Sequence, residues 1–181
     1  MERSLTLIAL FAALIAALGL IPKFTLAFGV PITAQTLGVM LCGTVLGARR
    51  GGLAVLLFLG LVALGLPLLA GGRGGLGVFA SPSVGFLMGW PIAAFVAGWF
   101  MEQMRNMPVG LAAGVASALG GIVVMYVFGI AGLMVMLDKT MLQSAGLVSA
   151  FIPGDVIKAV LAGFITAGLA KARPSSLLSR A

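Results

Sequence analysis

The chain predicts an all-α integral membrane protein of six transmembrane helices with both termini cytoplasmic. Three observations carry that fold class. Hydrophobic residues make up 61% of the 181 residues, against about 45–50% in soluble domains, and mean hydropathy is +1.23. The apolar residues fall into six stretches bounded by charge, Pro or Gly, most of them near the ~20 residues that span a bilayer. Basic residues alternate between the two sides. With the N-terminus inside, Arg3, Arg49, Arg50, Arg105, Lys171, Arg173 and Arg180 fall in the cytoplasm, Lys23, Arg73 and Lys139 fall outside, and Lys158 stays at the membrane. Seven against three obeys the positive-inside rule. A five-span topology would move Lys171, Arg173 and Arg180 outside and erase most of that bias.

The first stretch, 5–21, follows Met1-Glu-Arg-Ser like the core of a secretory signal. It outlasts such a core and lacks a small-x-small site before Ile21-Pro22-Lys23, so an uncleaved helix is expected. Ala9, Ala13 and Ala17 recur every four positions on it, with Ala12 and Ala16 one place along. Small residues at that spacing let a second helix approach closely. Packing inside the bundle and docking of a partner helix both fit.

The second stretch, 32–46, is short and opens with Pro31-Ile-Thr-Ala-Gln-Thr36. A polar start inside hydrocarbon is tolerated where backbone faces protein or a cavity. Thr33 and Gln35 there either bond across helices, at roughly 1 kcal/mol or less, or touch a ligand. The remaining stretches are 51–70, 84–101, 108–133 (the longest) and 153–170. Inner connections at 47–50 and 102–106 are tight, whereas outer ones at 22–30, 71–83 and 138–152 are long. That asymmetry fits a site opening outward. With no polar stretch long enough for a second unit, 1–181 is expected to form one membrane-embedded, substrate-binding domain.

Several function classes are disfavoured. A net charge of +7 and a pI near 10.9 would point to nucleic acid in a soluble protein, but here the cations are scattered at segment ends rather than gathered on one face. Without any His, metal sites and acid–base chemistry lose their commonest side chain. The single Cys42 cannot form an intramolecular disulfide, and there is no Gly-x-Ser-x-Gly elbow. No catalytic residue, metal or nucleic-acid partner is expected. The glycine run Gly71-Gly-Arg-Gly-Gly-Leu-Gly77 lacks the Gly-Lys-Ser/Thr of a phosphate loop. It reads either as a flexible outer turn or as bare backbone able to approach a ligand, with Arg73 available to a carboxylate. Trp90, Trp99 and Tyr126 read as interfacial anchors.

Asp155 and Lys158 stand out in Phe151-Ile-Pro-Gly-Asp-Val-Ile-Lys158, the mouth of the last apolar stretch. An unpaired charge near the bilayer centre costs from about 3 to above 10 kcal/mol. Three residues apart on a helix places both side chains on one face. Pro153 suits a first helical turn, and Asp155 just after it faces the positive end of the helix dipole. Lys158 is disfavoured near that end unless an anion lies close. A self-neutralising structural pair and a polar binding site both account for it.

Four blocks together resemble the BioY family, the biotin-binding S components of energy-coupling factor transporters. They are Pro31-Ile-Thr-Ala-Gln-Thr-Leu-Gly-Val-Met40, Leu46-Gly-Ala-Arg-Arg-Gly51, Gly65-Leu-Pro67 with Ala70-Gly-Gly-Arg-Gly-Gly75, and Phe151 to Lys158. The resemblance implies a six-helix protein in the plasma membrane of a prokaryote that captures biotin from outside. It needs no cofactor, biotin being the cargo, and it is not itself an enzyme. It implies that Asp155 and Lys158 bind biotin and that the outer loop with Arg73 helps to close the pocket. Ala9, Ala13 and Ala17 would contact a transmembrane coupling subunit driven by two ATPase subunits. The chain departs from the family at Ser81-Pro-Ser-Val-Gly-Phe86, where Gly-Pro-Thr-Gly-Gly-Tyr is frequent; Phe86 lacks the hydroxyl but can still pack on an apolar ring.

Biotin offers an apolar fused ring, a neutral ureido group and one carboxylate. Lys158 is assigned to the carboxylate or to a network shared with Asp155, and Asp155 to ureido N–H; the two assignments are interchangeable at this level. Arg73 is a second partner for the carboxylate, with Gln35, Thr33 and Phe86 as further contacts. The competing expectation is a stand-alone channel or proton-coupled carrier for a small organic acid.

Overall fold

Backbone groups in hydrocarbon must find their partners within the segment, so unbroken apolar runs become helices. The computed structural model describes residues 2–180; the side chain of Arg3, one of the inner cations, lies outside the described set. Among the described residues, seven α-helices succeed one another: α1 Glu2–Leu18, α2 Gln35–Leu46, α3 Ala48–Ala63, α4 Val84–Gln103, α5 Val109–Leu137, α6 Met141–Ser149 and α7 Ile152–Ala172. Three of them, α4, α5 and α7, are long and apolar enough to cross a membrane by themselves. α1 and α2 are shorter apolar helices.

Two segment bounds are corrected. The stretch 51–70 becomes a helix only over Ala48–Ala63; Gly65 at φ 105° and Pro67 then turn the chain out of it. The stretch 108–133 continues to Leu137, where Asp138 ends it in the left-handed region at φ 50°. The long connection after it contains a helix that was not anticipated. Thr140 caps α6 by accepting from Gln143 N, while the Gln143 side chain accepts from Thr140 N, a reciprocal capping box.

α2 and α3 are separated by one residue, Gly47, whose φ of 84° favours glycine. Glu102 at the end of α4 accepts from Ala48 N at 2.9 Å, placing a carboxylate on the positive end of α3. The helices pack through their smallest residues, because lipid removes the hydrophobic drive for association. A Cβ added at Gly85 would lie 2.8 Å from Gly132 Cα, and one at Gly120 would lie 2.7 Å from Ala97 N. α4 therefore touches α5 nearly backbone to backbone. Large apolar side chains point outward instead: Val135, Phe164, Val127 and Ile157 are all more than half exposed. That inside-out pattern suits a lipid-facing surface.

Inside α5, Leu119–Val124 is wound as a π-helix. Such a turn takes one extra residue and rotates the downstream part of the helix by roughly 100°. Met125 and Tyr126 come directly after it, and both reach a cavity at one end of the bundle or the side chains that line it. At the far end of the bundle the C-terminal residues fold back: Ser179 Oγ donates to Thr44 O, and Arg180 Nη1 donates to Arg105 O at 2.8 Å.

Candidate functional site

The helix ends build a cavity. α2 begins at Gln35, α4 at Val84 and α7 at Ile152, all around one mouth. A short antiparallel pair, Phe24–Thr25 with Pro31–Ile32, covers part of it. The space left between the lining side chains is about 40 Å³, room for only a few waters.

Asp155 lies in the first turn of α7 and is 2% exposed. Lys158, one turn on, donates to its Oδ1 at 2.8 Å. Thr36 Oγ1 accepts from Lys158 Nζ at 2.9 Å and donates to Asp155 Oδ1 at 3.3 Å. Tyr126 donates to Asp155 Oδ2 at 2.8 Å. The carboxylate thus gathers three donors, while the ammonium has two acceptors for its three N–H groups.

Gln35 is 1% exposed and lies along the cavity wall. Its carboxamide is committed to backbone: it donates to Ile15 O at 3.1 Å and Leu68 O at 3.0 Å and accepts from Ala70 N at 2.9 Å. It ties α1 to the turn after α3. The close approach requires Gly19, where a Cβ would meet Leu68 O at 2.7 Å. Thr33 also lines the cavity, and its hydroxyl accepts from Gln35 N at 3.3 Å at the start of α2.

Arg73 lines the cavity from the glycine loop, which closes on itself through paired bonds between Leu69 and Arg73. Among the described residues, its buried Nε has no partner. Burial holds the guanidinium below its usual range, so an anion placed beside it would recover lost solvation. Phe86 and Phe151 pack with ring centres 5.4 Å apart, and Phe28 meets Phe151 edge-on at 6.1 Å. Phe86 and Phe151 make the apolar wall, and Phe28 backs Phe151.

All six candidate site residues, Asp155, Lys158, Arg73, Gln35, Thr33 and Phe86, therefore line one cavity. Two residues read as interfacial anchors do not sit at an interface. Trp90 is 5% exposed in the cavity wall, with its indole N–H buried and, among the described residues, unpartnered. Tyr126 is partly buried against Asp155. Neither had a sequence signal, since α4 and α5 place them only through packing. Thr36 did: it belongs to the same polar start as Gln35. Trp99, 46% exposed, keeps the position of an anchor. On α1, Ala9, Ala13 and Ala17 form an exposed stripe, while Phe11, Ala12 and Ile15 are buried. The small-residue face is free rather than used inside the bundle.

Comparison with known proteins adds an independent line. A model of the BioY family matches residues 2–175. The chain belongs to the BioY family. The "Biotin transporter BioY" of Rhodobacter capsulatus is 52% identical, over 99% of this chain and all of that protein. The "Probable biotin transporter BioY" of Bacillus subtilis is 42% identical, over 91% of this chain and 89% of its own. Among solved structures, the S-component for biotin from an ECF-type ABC transporter superposes with a TM-score of 0.88 at 33% identity, covering 94% of this chain and 92% of that one. The chain thus shares its overall fold with that S-component, and it is a membrane protein of a transporter family.

Proposed function

We propose that the chain captures biotin from outside the cell as the substrate-specific subunit of an ECF-type transporter. The observation that carries this is the cavity's chemistry: one carboxylate, two cations, an unpartnered indole N–H and an aromatic wall converge within it. That set suits biotin. Its ureido N–H groups suit Asp155, its carboxylate suits Lys158 or Arg73, and its fused ring suits Phe86, Phe151 and Trp90. In the empty protein Asp155 and Lys158 neutralise each other; the ligand would divide them.

In this reading α1–α5 and α7 are the six spans of a multi-pass plasma-membrane protein of a prokaryote, and α6 lies at the outer surface. Both termini then face the cytoplasm, the side favoured by the basic residues. The whole of 1–181 acts as one substrate-binding domain. The exposed stripe of Ala9, Ala13 and Ala17 supports docking of a transmembrane coupling subunit, with ATP hydrolysis left to two separate ATPase subunits.

Purified, folded protein is expected to bind biotin saturably in the nanomolar range, about −12 kcal/mol. Vesicles holding this chain alone are expected not to accumulate it. Absence of saturable binding would remove the reading, and accumulation by the chain alone would replace it with a self-sufficient carrier.

Trp90→Phe tests the indole. An unpartnered buried donor costs free energy in the empty protein and recovers it when the ligand supplies an acceptor. Calorimetry should show roughly tenfold weaker biotin binding, near 1.4 kcal/mol, while the melting temperature of the empty protein hardly moves. Equal affinity would mean that the N–H never meets the ligand.

A further inference from the structure

The end of the bundle opposite the cavity carries an arrangement that biotin capture does not use. Arg49 and Arg50 lie in the first turn of α3 and are both exposed. Among the described residues, neither guanidinium has a hydrogen-bonded or salt-bridged partner. They share the positive end of a helix dipole, where cations are disfavoured without an anion nearby. Glu102 lines the same cleft, but one of its oxygens is turned to Ala48 N at 2.9 Å, and a single carboxylate leaves the cleft net positive.

This basic cleft, bordered also by Phe95 and Trp99, runs into an apolar groove between α3 and α4. Arg49 and Phe95 belong to both. The groove is walled by Leu53, Leu56, Pro91 and Ile92. Its floor is Gly52, where even a Cβ would come only into ordinary contact, 3.5 Å from Pro91 O and 3.6 Å from Phe95 Cβ. Leu53, Leu56, Ile92 and Phe95 are each between 42% and 54% exposed. A half-exposed Trp99 beside two arginines marks the level at which hydrocarbon gives way to headgroups.

We infer that this cleft holds one anionic phospholipid, its phosphate on Arg49 and Arg50 and an acyl chain along the α3–α4 groove. Charge complementarity selects the occupant. Guanidinium pairs match phosphate oxygens with forked hydrogen bonds, and basic pockets between membrane helices favour anionic headgroups. A zwitterionic lipid brings its own ammonium and loses that advantage. A free phosphate satisfies the arginines and leaves the groove empty. An apolar partner helix fills the groove and leaves two arginines unpaired. The inference is independent of biotin binding.

Full-length protein in mild detergent is titrated with phosphatidylglycerol, phosphatidylcholine and inorganic phosphate, and bound lipid is counted by native mass spectrometry. One phosphatidylglycerol per chain should bind roughly tenfold or more tightly than phosphatidylcholine, and inorganic phosphate should not compete. Arg49→Gln with Arg50→Gln should abolish the preference while biotin affinity stays within about twofold, which also reports that the variant is folded. Leu56→Trp, which fills the groove and keeps both arginines, should weaken phosphatidylglycerol binding as well. Equal binding of the two lipids, a preference that survives in the double variant, or competition by phosphate alone would each overturn the assignment. So would normal lipid binding by both variants with a loss only of partner-subunit association.

Discussion

Asp155→Asn combined with Lys158→Met is expected to give a folded protein that binds biotin at least about 100-fold more weakly, near 2.7 kcal/mol. The single variants should differ from the double and from each other. Asp155→Asn leaves Lys158 beside the positive end of α7 with its nearest anion gone, the Oδ1 now at 2.8 Å. Removing one partner of a buried ion pair costs about 3–5 kcal/mol, and here somewhat less, because the Lys158 side chain is 13% exposed to the open cavity. Lys158→Met should be milder. The carboxylate keeps Tyr126 at 2.8 Å and Thr36 at 3.3 Å, and the helix dipole favours it. Removing both charges at once restores neutrality, so stability should recover most of what Asp155→Asn loses. Affinity should not recover. Thermal melting and calorimetry on the three variants separate the cases, and native affinity in a folded double variant would make the pair a packing device only.

Gln35→Leu should act on the other quantity, stability. Leu is apolar and one heavy atom shorter, so Ala70 N and Leu68 O lose their partner and Ile15 O keeps only Gly19 N at 3.2 Å. A buried polar group left unpaired costs about 1–3 kcal/mol. With cavity water meeting part of the need, about 3 kcal/mol is expected overall. Melting should fall on the order of 10 °C, and saturating biotin should restore part of it, since the ligand binds only the folded form. Gln35→Glu should fare no better, because a carboxylate would face two carbonyl oxygens. Unchanged melting with weakened binding would instead move Gln35 from the framework to the ligand.

These two residues show how far a linear chain can be read. Both were candidates because a polar side chain in an apolar run demands a partner, and that demand is visible in the sequence. Lys158 was legible as one partner of Asp155, and the structure pairs them at 2.8 Å; the other partners were not visible. Gln35 meets three backbone groups 20, 33 and 35 residues away, while Asp155 meets Tyr126, 29 residues away. Tyr126 reaches it only because the π turn at Leu119–Val124 re-aims the end of α5, a winding that no local pattern announced. Trp90 was assigned to the interface on composition grounds. The Gly and Ala contacts of α4 draw it inward to the cavity wall.

The sequence by itself determined that the chain is apolar and helical, where its cations concentrate, and that Asp155 and Lys158 must be reconciled. Composition and helical periodicity suffice for that, because a bilayer permits few folded solutions. Only the tertiary structure decided that the pair is closed by Thr36 and Tyr126 and that the Gln35 carboxamide is bonded to backbone. It also decided that the alanine stripe of α1 is exposed. The reason is physical. Packing through glycine and alanine is set by how closely two backbones approach, and that distance is a property of the pair of helices, not of either sequence alone.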